Sequence, residues 1–310
     1  MAPMKRTSLA SRVADARLAI GRLVLGIALA VTGAAADDPL PAARRLILVS
    51  LDGLRPDAIA MVKAPTLAAL IADGVWAKEA RTILPSSTLP SHTSMLTGLV
   101  PARHGVMLWN DYEPERGHIK STTILELATQ AGRRTAMFAG KEKFWHLSRG
   151  VGTYRYVRGD PDELADAVIA HVAAHEADLM FVHFAEPDST GHRDGWLSAP
   201  QLAVIERVDA ALGRVKAAVD ARPWGANVVW IVTADHGGHE RTHGTPLVVD
   251  MRIPWICAGP GIRKGVVLDR EVRTYDTAAT ALSVLGLPRP DGLDGKPVDE
   301  ICEAAGAPSK

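Results

Sequence analysis

Four short runs along the chain are apolar at nearly every position: Leu46–Leu51, Thr135–Ala139, Leu179–Phe184 and Val228–Thr233. They lack the polar–apolar alternation of a sheet wetted on one face, so each reads as a strand covered on both sides. Between them the period becomes helical. Pro65–Ala72 stops at Gly74 and Thr122–Ala131 stops at Gly132, the glycines a helix C-terminus favours. Pro161–Glu176 and Ser198–Val219 are longer amphipathic helices, and Asp276 is placed to cap Thr277–Leu285, which closes at Gly286. Alternation of this kind predicts a mostly parallel central sheet between helical layers, an α/β three-layer sandwich. No internal repeat, low-complexity linker or charge block interrupts it, which predicts one domain.

Composition narrows the function classes. The 310 residues are 47% hydrophobic, with 35 Lys+Arg against 35 Asp+Glu. That excludes a disordered tail, a collagen-like rod and a nucleic-acid polymer binder working through a bulk positive field. The balance is uneven, however. Residues 1–36 hold Lys5, Arg6, Arg12, Arg17 and Arg22 against Asp15, leaving 30 basic and 34 acidic groups in the remainder. The body thus carries about −4 and draws anions only through local groups.

The same N-terminal stretch has the order of an export signal: basic residues, the apolar run Leu23–Val31, then Ala34-Ala35-Ala36 before Asp37. Met4 is an alternative start, and an uncleaved anchor or amphipathic first helix is the competing reading. The expectation is a signal peptide over 1–36 and a single catalytic domain over 37–310, periplasmic or secreted, with no stable membrane insertion after cleavage. Cys257 and Cys302 either pair in that oxidising compartment or leave Cys257 a buried thiol within Pro254–Ala258.

The residues just past the strand ends carry the chemistry. Leu46–Leu51 runs into Asp52-Gly53, Leu179–Phe184 into Ala185-Glu186-Pro187-Asp188 and then His192, and Val228–Thr233 into Ala234-Asp235-His236. Sites in open parallel sheets form beyond the carboxyl ends of the strands. Three aspartates gathered there repel and raise one another's pKa unless cations lie between them. With His192, His236 and His243 they make two sets of three oxygen and nitrogen donors, the ligand chemistry of zinc. A nucleophile is offered by Ser86-Ser87-Thr88-Leu89-Pro90-Ser91, where Pro90 suits a first helical turn and Gly98 its end. Thr88 then sits where free backbone N–H groups favour an anion, although Ser86, Ser87 or Thr88 could equally serve as a plain helix cap.

Taken together, Thr88–Gly98, Asp52-Gly53, Asp188-x-x-x-His192, Asp235-His236-Gly237 and His243-Gly244 resemble the alkaline phosphatase superfamily, in its nucleotide pyrophosphatase/phosphodiesterase branch. Asp291–Pro297 is similar to that superfamily's C-terminal signature, so the resemblance runs from about Arg45 to Pro297. It implies two Zn2+ ions or other divalent cations, one held by Asp188, His192 and His243 and the other by Asp52, Asp235, His236 and the Thr88 alkoxide. Asn110 matches the branch's phosphoryl-binding asparagine. Ser91 departs from it, standing where the branch often has asparagine.

The implied reaction is hydrolysis of a small phosphate ester, a nucleotide among the candidates, through a phosphothreonine intermediate with net retention at phosphorus. Asn110 and the N–H groups near Thr88 are expected to serve the developing charge. Three aspartates, two zinc ions and a threonine alkoxide sum to neutrality, which suits a singly charged diester. A phosphomonoesterase or phosphonate hydrolase is the alternative, and an exported zinc-binding inactive relative is the non-enzyme alternative. Sulfatase chemistry is disfavoured because the Cys/Ser-x-Pro-x-Arg motif is missing.

Several other residues are read as structural. Lys141 is read first as a solvated loop lysine, with a positive group supplied to the site as the alternative. His171 and His175 are read as a wetted helix face, and Trp109, Tyr112, Phe144 and Trp145 as packing, with stacking on a base as their alternative. Glu186 is a strand-end acid, and His239, beside the flexible Gly237-Gly238, is a weak competitor for metal. The short His192–Asp235 segment leaves room for only a minimal cap over the site.

Overall fold

In the computed structural model, which describes residues 45–302, the apolar runs pair directly with one another. Counting along the chain, the strands are β1 (Arg45–Leu51), β2 (Gly74–Arg81), β3 (Thr135–Ala139), β4 (Thr153–Tyr156), β5 (Leu179–Phe184), β6 (Val228–Thr233), β7 (Trp255–Ala258) and β8 (Val266–Arg273). They form one eight-stranded sheet in the order β4-β3-β5-β1-β6-β7-β2-β8. β7 runs antiparallel to both neighbours; all other pairings are parallel. β3, β5, β6 and β7 are buried at every position, as two-sided coverage requires. Leu48, Val49, Phe181 and Val182 at the sheet centre have essentially no exposed surface, and each such side chain contributes about 1.5–3 kcal/mol by leaving water.

Helices cover the sheet in two groups. Pro65–Ala72, Pro161–Ala174 and Ala199–Asp220 pack together, and Thr88–Thr97, Ile124–Gln130 and Asp276–Val284 pack together. Their starts follow local chemistry: Thr123, Asp160 and Ser198 accept backbone N–H groups of the first turn. Asp276 differs from expectation. It is the first helical residue, not the cap, and its carboxylate accepts from the backbone N–H groups of Arg273 and Lys296, tying down the loops around it. Four strands escape the apolar-run criterion. β2, β4 and β8 are half-exposed, with Lys78, Glu79, Arg155, Asp269 and Glu271 on their wet positions, and β7 is only four residues long.

Register fixes the functional edge. Ser50 of β1 lies opposite His183 of β5 and Thr233 of β6. Two residues beyond that row, β1 delivers Asp52 and β6 delivers Asp235 at the same end of the sheet. The Thr88–Thr97 helix is fastened from far along the chain. The Asp294 and Gly295 N–H groups donate to Gly98 O, and Asp294 Oδ2 accepts from Val100 N at 2.9 Å. Residues 1–36, read above as an export signal, lie outside the described residues. No described helix is long and apolar enough to cross a membrane.

His104, at the end of the Pro101–His104 helix, anchors the loop that leads to Asn110. Its Nδ1 accepts from Val106 N at 3.1 Å, and its Nε2 lies 2.9 Å from Ser94 Oγ. A ring that accepts at Nδ1 is neutral, and burial accordingly pulls its pKa down to about 4. Between there and the ordinary histidine value near 6.5 the unfolded chain binds a proton that the folded chain does not, so stability falls as pH drops through that window. Urea midpoints measured from pH 7 to 4 should decline on the acid side, and decline less steeply in His104→Gln.

Candidate functional site

Asp52, Asp188, Asp235 and His236 are fully or almost fully buried, and His243 is nearly so. The chain reaches this arrangement through a tight turn. Gly53 has φ +73°, and a Cβ there would stand 3.0 Å from the Asp188 backbone. Its N–H donates to Asp235 Oδ1 at 3.1 Å and its carbonyl accepts from Trp196 Nε1 at 2.9 Å. Two turns are thereby locked together under one indole.

The three histidines share one feature. His192 Nδ1 donates to Arg241 O, His236 Nδ1 to Gly237 O and His243 Nδ1 to Ser86 O, at 2.8–2.9 Å. A carbonyl only accepts, so each Nδ1 carries a proton and each Nε2 is turned inward. Those Nε2 atoms face carboxylates. His192 and His243 lie 3.3 and 3.6 Å from Asp188 Oδ1, and His236 lies 3.4 Å from Asp52 Oδ1 and 3.2 Å from Asp235 Oδ2. This is the orientation by which outer hydrogen bonds prepare imidazoles for a metal.

A cation fits the atoms left over. Asp52 Oδ1, Asp188 Oδ1, Asp235 Oδ2 and His236 Nε2 are buried with no hydrogen-bond partner among the described residues. Orphaned anionic oxygens in the interior cost several kcal/mol each unless a counter-charge meets them. Two donor sets lie within 4.8 Å: Asp188, His192 and His243, and Asp52, Asp188 and His236. The first is the set expected from sequence. In the second, Asp188 takes the place expected for Asp235, which adjoins the set through its contact with His236. The acid–base balance shows the same need. Burial and the Asp52 charge push Asp235 well above the usual carboxylate range. Burial and the neighbouring His236 pull His243 down to about 4, favouring the neutral ring.

Lys141, His183, His92 and Ser50 meet at this centre outside the ligand and nucleophile set expected from sequence. Of the two readings of Lys141, the geometry fits the alternative: its Nζ sits 2.6 Å from Asp52 Oδ2, 2.6 Å from Asp188 Oδ2 and 3.4 Å from Thr88 Oγ1. Burial opposes its charge, but the three aspartates outweigh it and raise its pKa. It lies two residues past the end of β3, as Asp235 does past β6, so the strand-end rule marks its place but not the direction of its side chain. His183 donates from Nε2 to Asp52 Oδ2 at 3.0 Å, and His92 donates from Nδ1 to Thr88 O at 2.7 Å while Ser50 Oγ meets its Nε2 at 2.7 Å. The signal for His183 and Ser50 was a lone polar residue inside an otherwise apolar strand.

Thr88 opens its helix behind Ser87, as expected. The Leu89 N–H, however, donates to Asn110 Oδ1 at 2.8 Å, and Pro90 has none to give. The backbone donors near Thr88 are therefore fewer than the motif suggested, and the bond turns the amide NH2 of Asn110 towards other acceptors. Ser91 donates to Asp235 O at 2.7 Å, a supporting contact behind a ligand strand.

The other residues weighed from sequence have the following contacts. His239 Nδ1 is engaged by Asp250 Oδ1 at 2.7 Å, and Glu186 accepts from Thr190 N at 2.9 Å. His171 contacts His175 and Phe138 away from the centre. Phe144 is buried against His92 and His183, while Trp109 packs on His146, Tyr112 on Trp145 and Trp145 on His118.

The family model for type I phosphodiesterase/nucleotide pyrophosphatase matches residues 46–246, a span that contains Asp52, Asp188, His192, Asp235, His236 and His243 as well as Thr88 and Asn110. The chain belongs to this family. It sits within the alkaline phosphatase superfamily. Human ectonucleotide pyrophosphatase/phosphodiesterase family member 7 is 28% identical over 62% of this chain and 47% of its own length, so the chain spans about half the length of that relative. Among solved structures, murine ectonucleotide pyrophosphatase/phosphodiesterase 5, an inactive threonine-to-alanine variant in complex with AMP, superposes with TM-score 0.70 at 17% identity over 84% of this chain and all of that one. A phosphonate monoester hydrolase from Silicibacter pomeroyi gives 0.67 at 18%, covering 86% of this chain and 78% of its own. At these identities the structures speak for the shared three-layer α/β fold.

Gly238, read above as flexible, is a packing requirement of this family member: a Cβ there would come within 2.1 Å of Trp196. Gly238→Ala should therefore cost about 1–3 kcal/mol through overpacking, read as a lowered urea midpoint with altered tryptophan fluorescence.

Proposed function

We propose that the chain is a two-metal phosphoric ester hydrolase, foremost a phosphodiesterase or nucleotide pyrophosphatase, in which Thr88 is the nucleophile. The observation that carries this reading is the convergence of buried ligand atoms without partners at one sheet edge, with the Thr88 hydroxyl held beside the same aspartates through Lys141. Asp188, His192 and His243 would hold one divalent cation, zinc by the character of the donors, and Asp52, Asp235 and His236 the other. When bound, such cations supply Lewis-acid stabilisation of the entering and leaving oxygens.

The chain's own groups do the rest. Thr88 Oγ1 gives up its proton and forms a bond to phosphorus as the ester oxygen on the opposite side departs and is released, protonated, as an alcohol. A water then attacks phosphorus and returns a proton to Thr88, releasing a phosphomonoester from a diester or inorganic phosphate from a monoester. Two in-line displacements give net retention at phosphorus. His92 fixes the first turn by bonding the Thr88 carbonyl, so the hydroxyl is aimed by the backbone. Asn110, oriented by Leu89 N, offers its NH2 to a non-bridging oxygen. A nucleotide ester as substrate draws support from the AMP held by the murine relative, and a threonine nucleophile from its inactive threonine-to-alanine variant. The export-signal reading places this chemistry in the periplasm or outside the cell.

Hydrolysis of bis-p-nitrophenyl phosphate by the zinc-supplemented protein tests the proposal. Thr88→Ala should lose at least about 10³-fold in kcat/KM while retaining the metal content found by elemental analysis. Turnover unaffected by Thr88→Ala would remove the nucleophile, and a zinc-loaded wild type without turnover would leave the inactive metal-binding relative.

A further inference from the structure

Lys141 holds the far edges of two carboxylates whose near edges are left open. Its ammonium meets Oδ2 of Asp52 and Oδ2 of Asp188, while Oδ1 of each has no hydrogen-bond partner among the described residues and faces the inward Nε2 atoms of the histidines. A lysine that merely filled a vacant cation position would have taken the open oxygens. The contacts it makes are compatible with cations on the other side of both groups, so Lys141 belongs to the assembled centre as a further positive charge.

Its placement relative to the nucleophile is equally specific. An ammonium has three donors; two are spent on the aspartates and Thr88 Oγ1 lies 3.4 Å from Nζ. A phosphorus approaching Oγ1 carries its non-bridging oxygens into reach of that ammonium. The residue is held in place: Gly140 N donates to His183 O at 2.9 Å, and the Lys141 side chain is only 18% exposed. A charge shielded from water to this degree acts more strongly on a developing anion than a surface lysine does.

Lys141 also alters the charge count. With it, three aspartates, two divalent cations and an ionised Thr88 leave one net positive charge in place of neutrality. We propose that Lys141 is a specificity-determining residue that binds a non-bridging phosphoryl oxygen, so that the site accepts phosphomonoester dianions alongside diesters. The inference rests on the phosphoric ester hydrolase reading proposed for the same site.

The test uses the zinc-loaded full chain with p-nitrophenyl phosphate and bis-p-nitrophenyl phosphate, which share a leaving group, and adds calorimetric titration with inorganic phosphate. Wild type should turn over the monoester with kcat/KM no less than about a tenth of the diester value. Lys141→Met should lose about 10²-fold on the monoester and less than about 10-fold on the diester, with phosphate binding weakened alongside. Lys141→Arg, which keeps the charge, should retain most monoester activity, and Lys141→Gln stands in should the Met variant not fold. Equal losses on both esters with phosphate affinity unchanged would overturn the proposal and leave Lys141 a positioning residue. A wild type confined to the diester would overturn it as well. Turnover of neither ester would instead sink the hydrolase reading; phosphate binding that depends on Lys141 would then uphold its anion contact, and binding indifferent to it would end the proposal.

Discussion

Mutual repulsion among Asp52, Asp188 and Asp235 is the constraint around which the structure is organised. Three carboxylates with almost no exposed surface cannot share one place in a low-dielectric interior without positive charge between them. The fold meets part of that demand itself, through Lys141 and the His183 N–H on Asp52. The rest stays open as a set of lone pairs, and Asp235 registers the deficit by its raised pKa. Hydrophobic burial in the strands behind the site holds the groups together against this repulsion, so the sheet is stabilised at its centre and strained electrostatically at its edge.

Much of this was legible in the sequence because it follows from short-range pattern. Thr135–Ala139, Leu179–Phe184 and Val228–Thr233 announce themselves by two-sided burial, and their register delivers Asp52 and Asp235 to one level. The strand-end rule then found Asp188 and the histidines. The hidden parts depended on direction and long-range contact. Nothing local says that a lysine after β3 turns inward. The tethering of Asn110 to Leu89 N spans a loop whose path no period encodes. The half-wet strands β2 and β8 pair across nearly two hundred residues, and their polar positions broke the apolar signal that marked the central strands.

The histidine tautomers illustrate how backbone decides chemistry. Each of the three imidazoles is oriented by a backbone carbonyl, not by another side chain, so the ring nitrogens are aimed by the course of the chain itself. A ring held this way needs little reorganisation to accept a cation, and preorganisation of this kind strengthens binding by lowering its entropic cost.

The fastening of Gly98 and Val100 by Asp294 and Gly295 has a temporal consequence. A chain emerges from synthesis in order, so the helix that begins with Thr88 is made early while its tether arrives almost two hundred residues later. Contacts so distant in sequence form late and slowly. Until Asp294 and Gly295 are made, the C-terminal end of the Thr88–Thr97 helix lacks these partners, so the position of Thr88 is secured only after most strands of the sheet have been synthesised.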